Sequence, residues 1–372
     1  MWIFLSVFNI ICAYFAEKYF QKNKYICFFS LFLIVLSNTI VLGLRDFGVG
    51  TDTMVYIDTY FNYALSITNF QMFFDNSNFD YGFLLLAYLS TFFGNDSQNL
   101  LILTELFIIL FIVLGLYKFK SVVKYSMTWF MILFVLRYQN TTVNLMRQFC
   151  AMSLLFYGYS LFLHKKIWSY LLIQIISYFF HSSAIVFIVV PFFYYFAHKD
   201  SYLKYIYALG VFGAILFFII FYYAFLSFIG STGILKEIYM DRYGAGSRYE
   251  EELNMGLTYI PSLILPVFVF FIIKQNRLMV EELFYMLIVL YVTMCLLEQL
   301  RLVMTYFYRI GYYIGLVVII YMSNIFKYAK QEIVLLNSAY IVLLLKKAYS
   351  SYGYDTDLDI NMVYSSHILG IY

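Results

Sequence analysis

Charge is scarce in this chain: Asp, Glu, Lys and Arg make up 12% of 372 residues, against 63% hydrophobic residues and a mean hydropathy of +0.80. Soluble domains carry about 25% charged residues, so a water-facing globule is excluded and a polytopic membrane protein is indicated. Net charge is only +3, with no basic run and no nucleic-acid motif, which removes nucleic acid from the partners. The four cysteines, Cys12, Cys27, Cys150 and Cys295, sit inside apolar segments at unrelated spacings. That pattern fits neither a disulfide framework nor a zinc site. A removable signal peptide is not expected either. The first 16 residues have no basic n-region and no small-residue cleavage site, and Lys18, Lys22 and Lys24 follow them, as after a retained first span. There is no internal repeat, low-complexity linker or soluble domain.

Aromatic residues are abundant, with 40 Tyr and 42 Phe, a load suited to interfacial belts, aromatic-lined grooves and lipid-facing packing. Apolar length and lysine–arginine bias predict an all-α, polytopic membrane bundle of about twelve spans plus one re-entrant segment. Spans near 2–16 and 25–44 enclose Lys18, Lys22 and Lys24, which puts that turn in the cytoplasm and the N-terminus outside. Residues 45–81, with five aspartates against one arginine, form an external segment with an amphipathic helix near 53–74. The run at 82–93 is too short to cross. Treating it as re-entrant lets a span at 99–117 bring Lys118, Lys120 and Lys124 to the cytoplasm. Spans follow at 126–138 and 149–163. The run 167–197 is too long for one span and divides at an outward-facing His181. Further spans are expected at 205–229, 257–273, 282–299, 302–322 and 331–345, with a second external segment at 231–255. The whole is one membrane domain, 1–345, followed by an exposed acidic tail, 346–372.

On this topology 13 of the 16 lysines are cytoplasmic, whereas seven of the eight arginines lie outside or in the outer half. Lysine follows the orientation rule and arginine opposes it. A cation placed against that rule needs another reason, and the planar fork of arginine suits phosphate and carboxylate. The stretch Arg137–Gln148 interrupts two apolar runs with two arginines, amides and hydroxyls, and charge at membrane depth marks a functional site. Arg147 and Arg309, inside apolar sequence with few acids nearby, predict an external anionic ligand. Arg137 is read as a boundary anchor. Asn144 and Gln148, one helical turn apart, can bind sugar hydroxyls or satisfy backbone between spans.

Five motifs share an order and spacing along the chain: Leu44-Arg45-Asp46 with Gly50-Thr51-Asp52 and Tyr56; Asp80-Tyr81-Gly82-Phe83; Asn144-Leu145-Met146-Arg147-Gln148; Phe180-His181-Ser182-Ser183-Ala184; and Arg309-Ile310-Gly311-Tyr312-Tyr313. In these the chain resembles the EpsG-type membrane polysaccharide polymerases, a Wzy-like group, from about Leu42 to Pro191 and more weakly to about Ile320. The resemblance implies a fold like the GT-C glycosyltransferases and a glycosyl transfer on the outer face of the bacterial inner membrane. A growing glycan would leave its polyprenyl diphosphate carrier for a hydroxyl of the next lipid-linked repeat unit. A chain-length regulator protein is an implied partner, and no cofactor or metal is needed, Asp46, Asp52 and Asp58 being the carboxylates that could gather around a divalent cation. Arg147, with Arg309 and Arg45, would bind the diphosphate and stabilise its charge as it leaves. Asp46, Tyr56, Asp80, Asn144, Gln148 and Tyr313 would contact substrate. Asp80 stands where the family usually has Glu, which shortens the reach of its carboxylate. His181 and Asp52 are the candidate bases for the acceptor hydroxyl, and Thr51 or Asp52 also suits a helix cap. Alternative readings are an O-antigen ligase-like glycosyltransferase, or a lipid-linked oligosaccharide flippase or transporter.

Overall fold

The computed structural model describes residues 1–50, 52–69, 71–74, 80–197, 202–231, 281–302, 305–328, 345 and 364–371. Among them the chain is helical apart from turns and one isolated bridge, Ser366 to Ile371. It divides into two compact units, Met1–Ile185 with Met322–Tyr372, and Val186–Tyr321.

In the first unit α1 (Trp2–Tyr19) and α2 (Lys24–Gly43) form an antiparallel hairpin. The turn between them ends at Asn23, whose side chain accepts from the backbone N–H of Tyr25 and Ile26 and so caps α2. Asn9 and Asn38 face each other across the two helices and exchange amide hydrogen bonds of 3.2 and 3.1 Å. Reciprocal pairing of this kind satisfies two polar groups that could not be left bare in an apolar interior. α5 (Tyr81–Thr91) is followed by α6 (Gln98–Phe119), which packs on α2 and on α9 (Met146–Leu163). Between α6 and α9 lie α7 (Met127–Arg137) and the short α8 (Gln139–Asn144). α10 (Ile167–Phe180) then packs back on α9, and a 3-10 turn, Ser182–Ile188, follows it. Ahead of α5, residues 53–66 make one irregular helix: α3 (Thr53–Tyr56), a π turn (Ile57–Phe61) and α4 (Asn62–Ser66).

Hydrogen bonds assign the two ends of this unit. At one end Glu17 accepts from Ser126, Thr128 and Lys120, and Ser121 Oγ lies 2.8 Å from His164 Nε2. At the other, Ser6 donates to Gln139 and Arg45 reaches the Val143 carbonyl. Lys18, Lys22, Lys120 and Lys124 therefore gather at one end, and Arg45 and Arg147 at the other. The expected segregation of the two cations is present in this unit as an end-to-end separation. Gln98 Nε2, at the start of α6, bonds the carbonyl of Arg45 at 3.0 Å, while Asp80, before α5, bonds Arg147. The segment 80–98 that contains α5 thus leaves from and returns to the arginine end. At 11 residues α5 is about 16 Å long, half of the hydrocarbon thickness.

The second unit holds α11 (Val189–Ala197), α12 (Leu203–Ser231) and α13 (Glu281–Glu298). Two 3-10 turns follow, Gln299–Leu302 and Thr305–Gly311, and then α14 (Tyr312–Tyr328), which runs on past the unit's end at Tyr321. Tyr207 packs edge-on to Phe193 and tilted on Phe196, and Tyr285 Oη donates to the Lys204 carbonyl at 2.6 Å.

Three described helices, Lys24–Gly43, Gln98–Phe119 and Leu203–Phe221, are long and apolar enough to cross a membrane, and five more are shorter apolar helices. The break expected within 167–197 is present at His181. The expected spans at 257–273 and 331–344 and the external segment at 232–255 lie outside the described residues. One expectation is corrected: the end of the tail is not simply exposed. Tyr364 and Ser366 are buried, because the Tyr364 hydroxyl donates to the Val41 carbonyl and its ring sits edge-on to Trp2 at 6.0 Å.

Candidate functional site

The first turn of α9 carries Arg147 at the arginine end, and two other segments meet its guanidinium. Nη1 donates to Asp80 Oδ2 at 2.6 Å and to the Tyr60 hydroxyl at 2.7 Å. Its Cζ stands 5.5 Å from the Tyr56 ring and 5.3 Å from the Tyr60 ring. Nε has no hydrogen-bond partner. Tyr56 and Tyr60, four apart, share a helical face, and the π turn at Ile57–Phe61 sets the second ring beside the first. Such turns recur at functional positions. Phe83, fully buried, backs both tyrosines at 5.4 and 5.1 Å and fixes their rings. Tyr60 was not among the sequence candidates; the signal was its i+4 spacing from Tyr56.

Two ion pairs at this end contrast sharply. The Arg147–Asp80 side chains are 31% and 25% exposed, whereas Arg45–Glu105 are 0% and 2%. Arg45 was expected to contact the diphosphate. Instead Nη1 donates to Glu105 Oε1 at 3.0 Å and to the Leu42 carbonyl, and Nη2 to the Val143 carbonyl at 3.4 Å. A buried cation needs such partners, so Arg45 ties α2, α6 and α8 together from a fully buried position. Glu105 escaped notice because it lies alone in an apolar helix, with its partner sixty residues away.

The turn after α2 is shaped by Gly50 at φ +98°, where a Cβ would come within 3.1 Å of Asn144 Oδ1 and the Val143 carbonyl. Only glycine gives both that conformation and that approach. Asn144 thus lies against the Gly50 turn, one residue from a break in the helix at Leu145 (φ −99°, ψ 47°). The single continuous helical turn expected between Asn144 and Gln148 is interrupted there, and Gln148 is buried. Asp52 occupies the cap position of α3 but makes no side-chain capping bond, and Thr51, the other expected cap, lies outside the described residues. Thr53 Oγ1 instead donates to the Val49 carbonyl at 2.9 Å.

Asp46, expected to contact substrate, meets the tail. Its Oδ1 accepts from the His367 backbone N–H at 2.9 Å and lies 2.5 Å from His367 Nδ1, while its own N–H donates to the Ser365 carbonyl at 3.0 Å. These bonds hold the Asp46 carboxyl below the usual carboxylate range. At Asp80 burial wins over the pull of Arg147 and raises the carboxyl.

His181 follows the last residue of α10, in extended conformation, with Ser183 Oγ 2.7 Å from its Nδ1. Gln174 ties the following turn back by donating to the Ala184 carbonyl at 2.9 Å. Gly82 brings this corner toward Asp80: a Cβ there would stand 2.7 Å from Phe180 Cδ2 and 2.9 Å from Phe180 N. The motifs around Asp80 and His181 are therefore packed together through glycine. Arg309, half-buried in the 3-10 turn Thr305–Gly311, and Tyr313, fully buried, belong to the second unit. Among the described residues no group of three His, Cys, Asp or Glu side chains is placed to hold a metal.

Neither curated proteins nor solved structures yield a match to this chain. The model of the EpsG family, in contrast, matches residues 28–365, a region that contains every motif described above, and the chain belongs to the EpsG family.

Proposed function

We propose that this membrane protein is a polysaccharide polymerase of the O-antigen or capsule type. It transfers a growing glycan from polyprenyl diphosphate to a hydroxyl of the next lipid-linked repeat unit. The family supports polysaccharide polymerisation in a membrane. The observation that carries the finer reading is the partly exposed Arg147, whose fork is aimed by two tyrosine rings and one carboxylate. A diphosphate brings more charge than Asp80 and suits a bidentate guanidinium.

In the reaction the acceptor oxygen attacks the anomeric carbon, the carbon–phosphate-oxygen bond breaks, and the electron pair leaves on the diphosphate beside Arg147. The acceptor proton passes to His181 or Asp52. For His181 the competent tautomer carries its proton on Nδ1, donated to Ser183 Oγ, which leaves a lone pair on Nε2 for the hydroxyl. Tyr56, Asp80, Asn144 and Gln148 shape the surroundings. The site faces outward from the bacterial inner membrane, in a bundle of about twelve spans like the GT-C enzymes, and a chain-length regulator acts with it.

Deleting the gene and sizing the surface glycan tests this reading. Single repeat units with normal lipid attachment are expected, and undiminished long chains would reject polymerisation. Arg147→Lys keeps the charge and loses the fork, so full-length glycan in that variant would reject bidentate diphosphate binding.

A further inference from the structure

We propose a second anion site at the lysine end of the first unit, remote from Arg147, that takes a phosphate-bearing amphiphile. A cavity of about 540 Å³ opens between the α1–α2 turn and the α6–α7 turn. Lys18, Lys22, Lys120 and Lys124 line it, against one carboxylate, Glu17. That carboxylate is already committed. It accepts from Lys120 at 3.3 Å, from the Ser126 hydroxyl at 2.6 Å, and from the Thr128 N–H and hydroxyl at 3.1 and 2.9 Å. Lys22 and Lys124 have no ion-pair partner among the described residues.

Orientation alone asks for lysines near this face, not for four of them around one hollow. Like charges gathered on a concave surface repel one another and raise the local potential for an anion. The remaining walls decide which anion. Phe20, Val122 and Val123 are apolar, with Val122 43% exposed, so the cavity joins a cationic rim to a hydrophobic wall. A phosphate headgroup with the start of an acyl chain matches both features. A soluble diphosphate matches the rim alone.

The full chain, purified in neutral detergent, is titrated with short-chain phosphatidylglycerol, with phosphatidylcholine and with inorganic pyrophosphate, and followed by thermal shift. Stabilisation by phosphatidylglycerol is expected. It should weaken roughly thirtyfold in the double variant Lys22→Gln/Lys124→Gln, the loss of two lysines near a surface, and persist in Lys22→Arg/Lys124→Arg. Pyrophosphate acting with the same lysine dependence would support the site and assign a soluble ligand. The control Lys24→Gln/Lys166→Gln removes two exposed lysines that do not line the cavity. Equal weakening in that control would overturn the proposal, and so would the absence of any anion-specific shift. Because glycan polymerisation is not read out, this test stands or falls apart from the reading of Arg147.

Discussion

Glu105→Gln and Asp80→Asn make the same chemical change beside an arginine, and their consequences should separate cleanly. Glu105 and Arg45 are 2% and 0% exposed. Neutralising Glu105 leaves Arg45 as an uncompensated buried cation beside the Leu42 and Val143 carbonyls and the Met146 thioether. Breaking one side of a buried pair costs about 3–5 kcal/mol. Asp80 and Arg147 are 25% and 31% exposed, so water replaces the lost carboxylate and the cost falls to about 1 kcal/mol or less. Thermal unfolding of the purified protein should show a large drop for Glu105→Gln and a small one for Asp80→Asn. Surface glycan length should behave differently, because the Asp80 change frees an Arg147 donor that the proposed site uses. Asp80→Asn is thus expected to alter chain length in a protein that still folds. Equal destabilisation by both substitutions would refute the reasoning, since it would mean that the exposure of the two pairs does not set their energetic weight.

Other consequences follow from the packing. Gly82→Ala places a Cβ within 3.0 Å of Phe180 and Phe179 backbone atoms, so α5 must shift from α10. The cost is about 1–3 kcal/mol, read as a lowered melting temperature, and an unchanged melting point would contradict the close approach. The folded-state carboxyl of Asp46 is depressed by its bonds to His367. Its contribution is therefore present above the unfolded carboxylate value near about 4 and lost only as pH falls through the lower folded value. Proteolysis at the tail should stay slow down to that range, and His367→Ala should make it rapid at neutral pH; equal rates in both proteins would refute the clasp. Asn324 bonds the Lys124 carbonyl at the lysine end, whereas Ser366 bonds the Leu44 carbonyl at the arginine end. Cysteines introduced at Val122 and Leu369 should label from opposite sides of the membrane, and same-side labelling would refute the separation of the ends.

Several residues of the proposed site stand out in the sequence one at a time. Arg147 stood out because a guanidinium in apolar sequence is costly, and His181 because serines and a histidine interrupt a run too long for one span. Arg45 shows the limit of that reasoning. In sequence it is as conspicuous as Arg147, but the carboxylate that neutralises it lies on another helix, and exposure is a property of neighbours rather than of residue type. Tyr60 shows the converse: an unremarked aromatic became a direct partner of Arg147 once a π turn set its direction. The tail looked exposed because its residues are polar. Its docking depends on carbonyls of the α2 end, which no local pattern reveals.

What the sequence by itself determined is the membrane class, the helical character, the turn at His181, the opposite placement of lysine and arginine in the first unit, and the family. Each follows from local chemistry: apolar length, helix interruption, and the cost of charge in hydrocarbon. Tertiary structure alone decided which arginine is sealed and which is presented, and it alone joined Asp80 to Arg147 and Asp46 to His367. Those outcomes depend on distances between segments far apart in the chain, and it is packing that sets both the distance and the access of water to the charges.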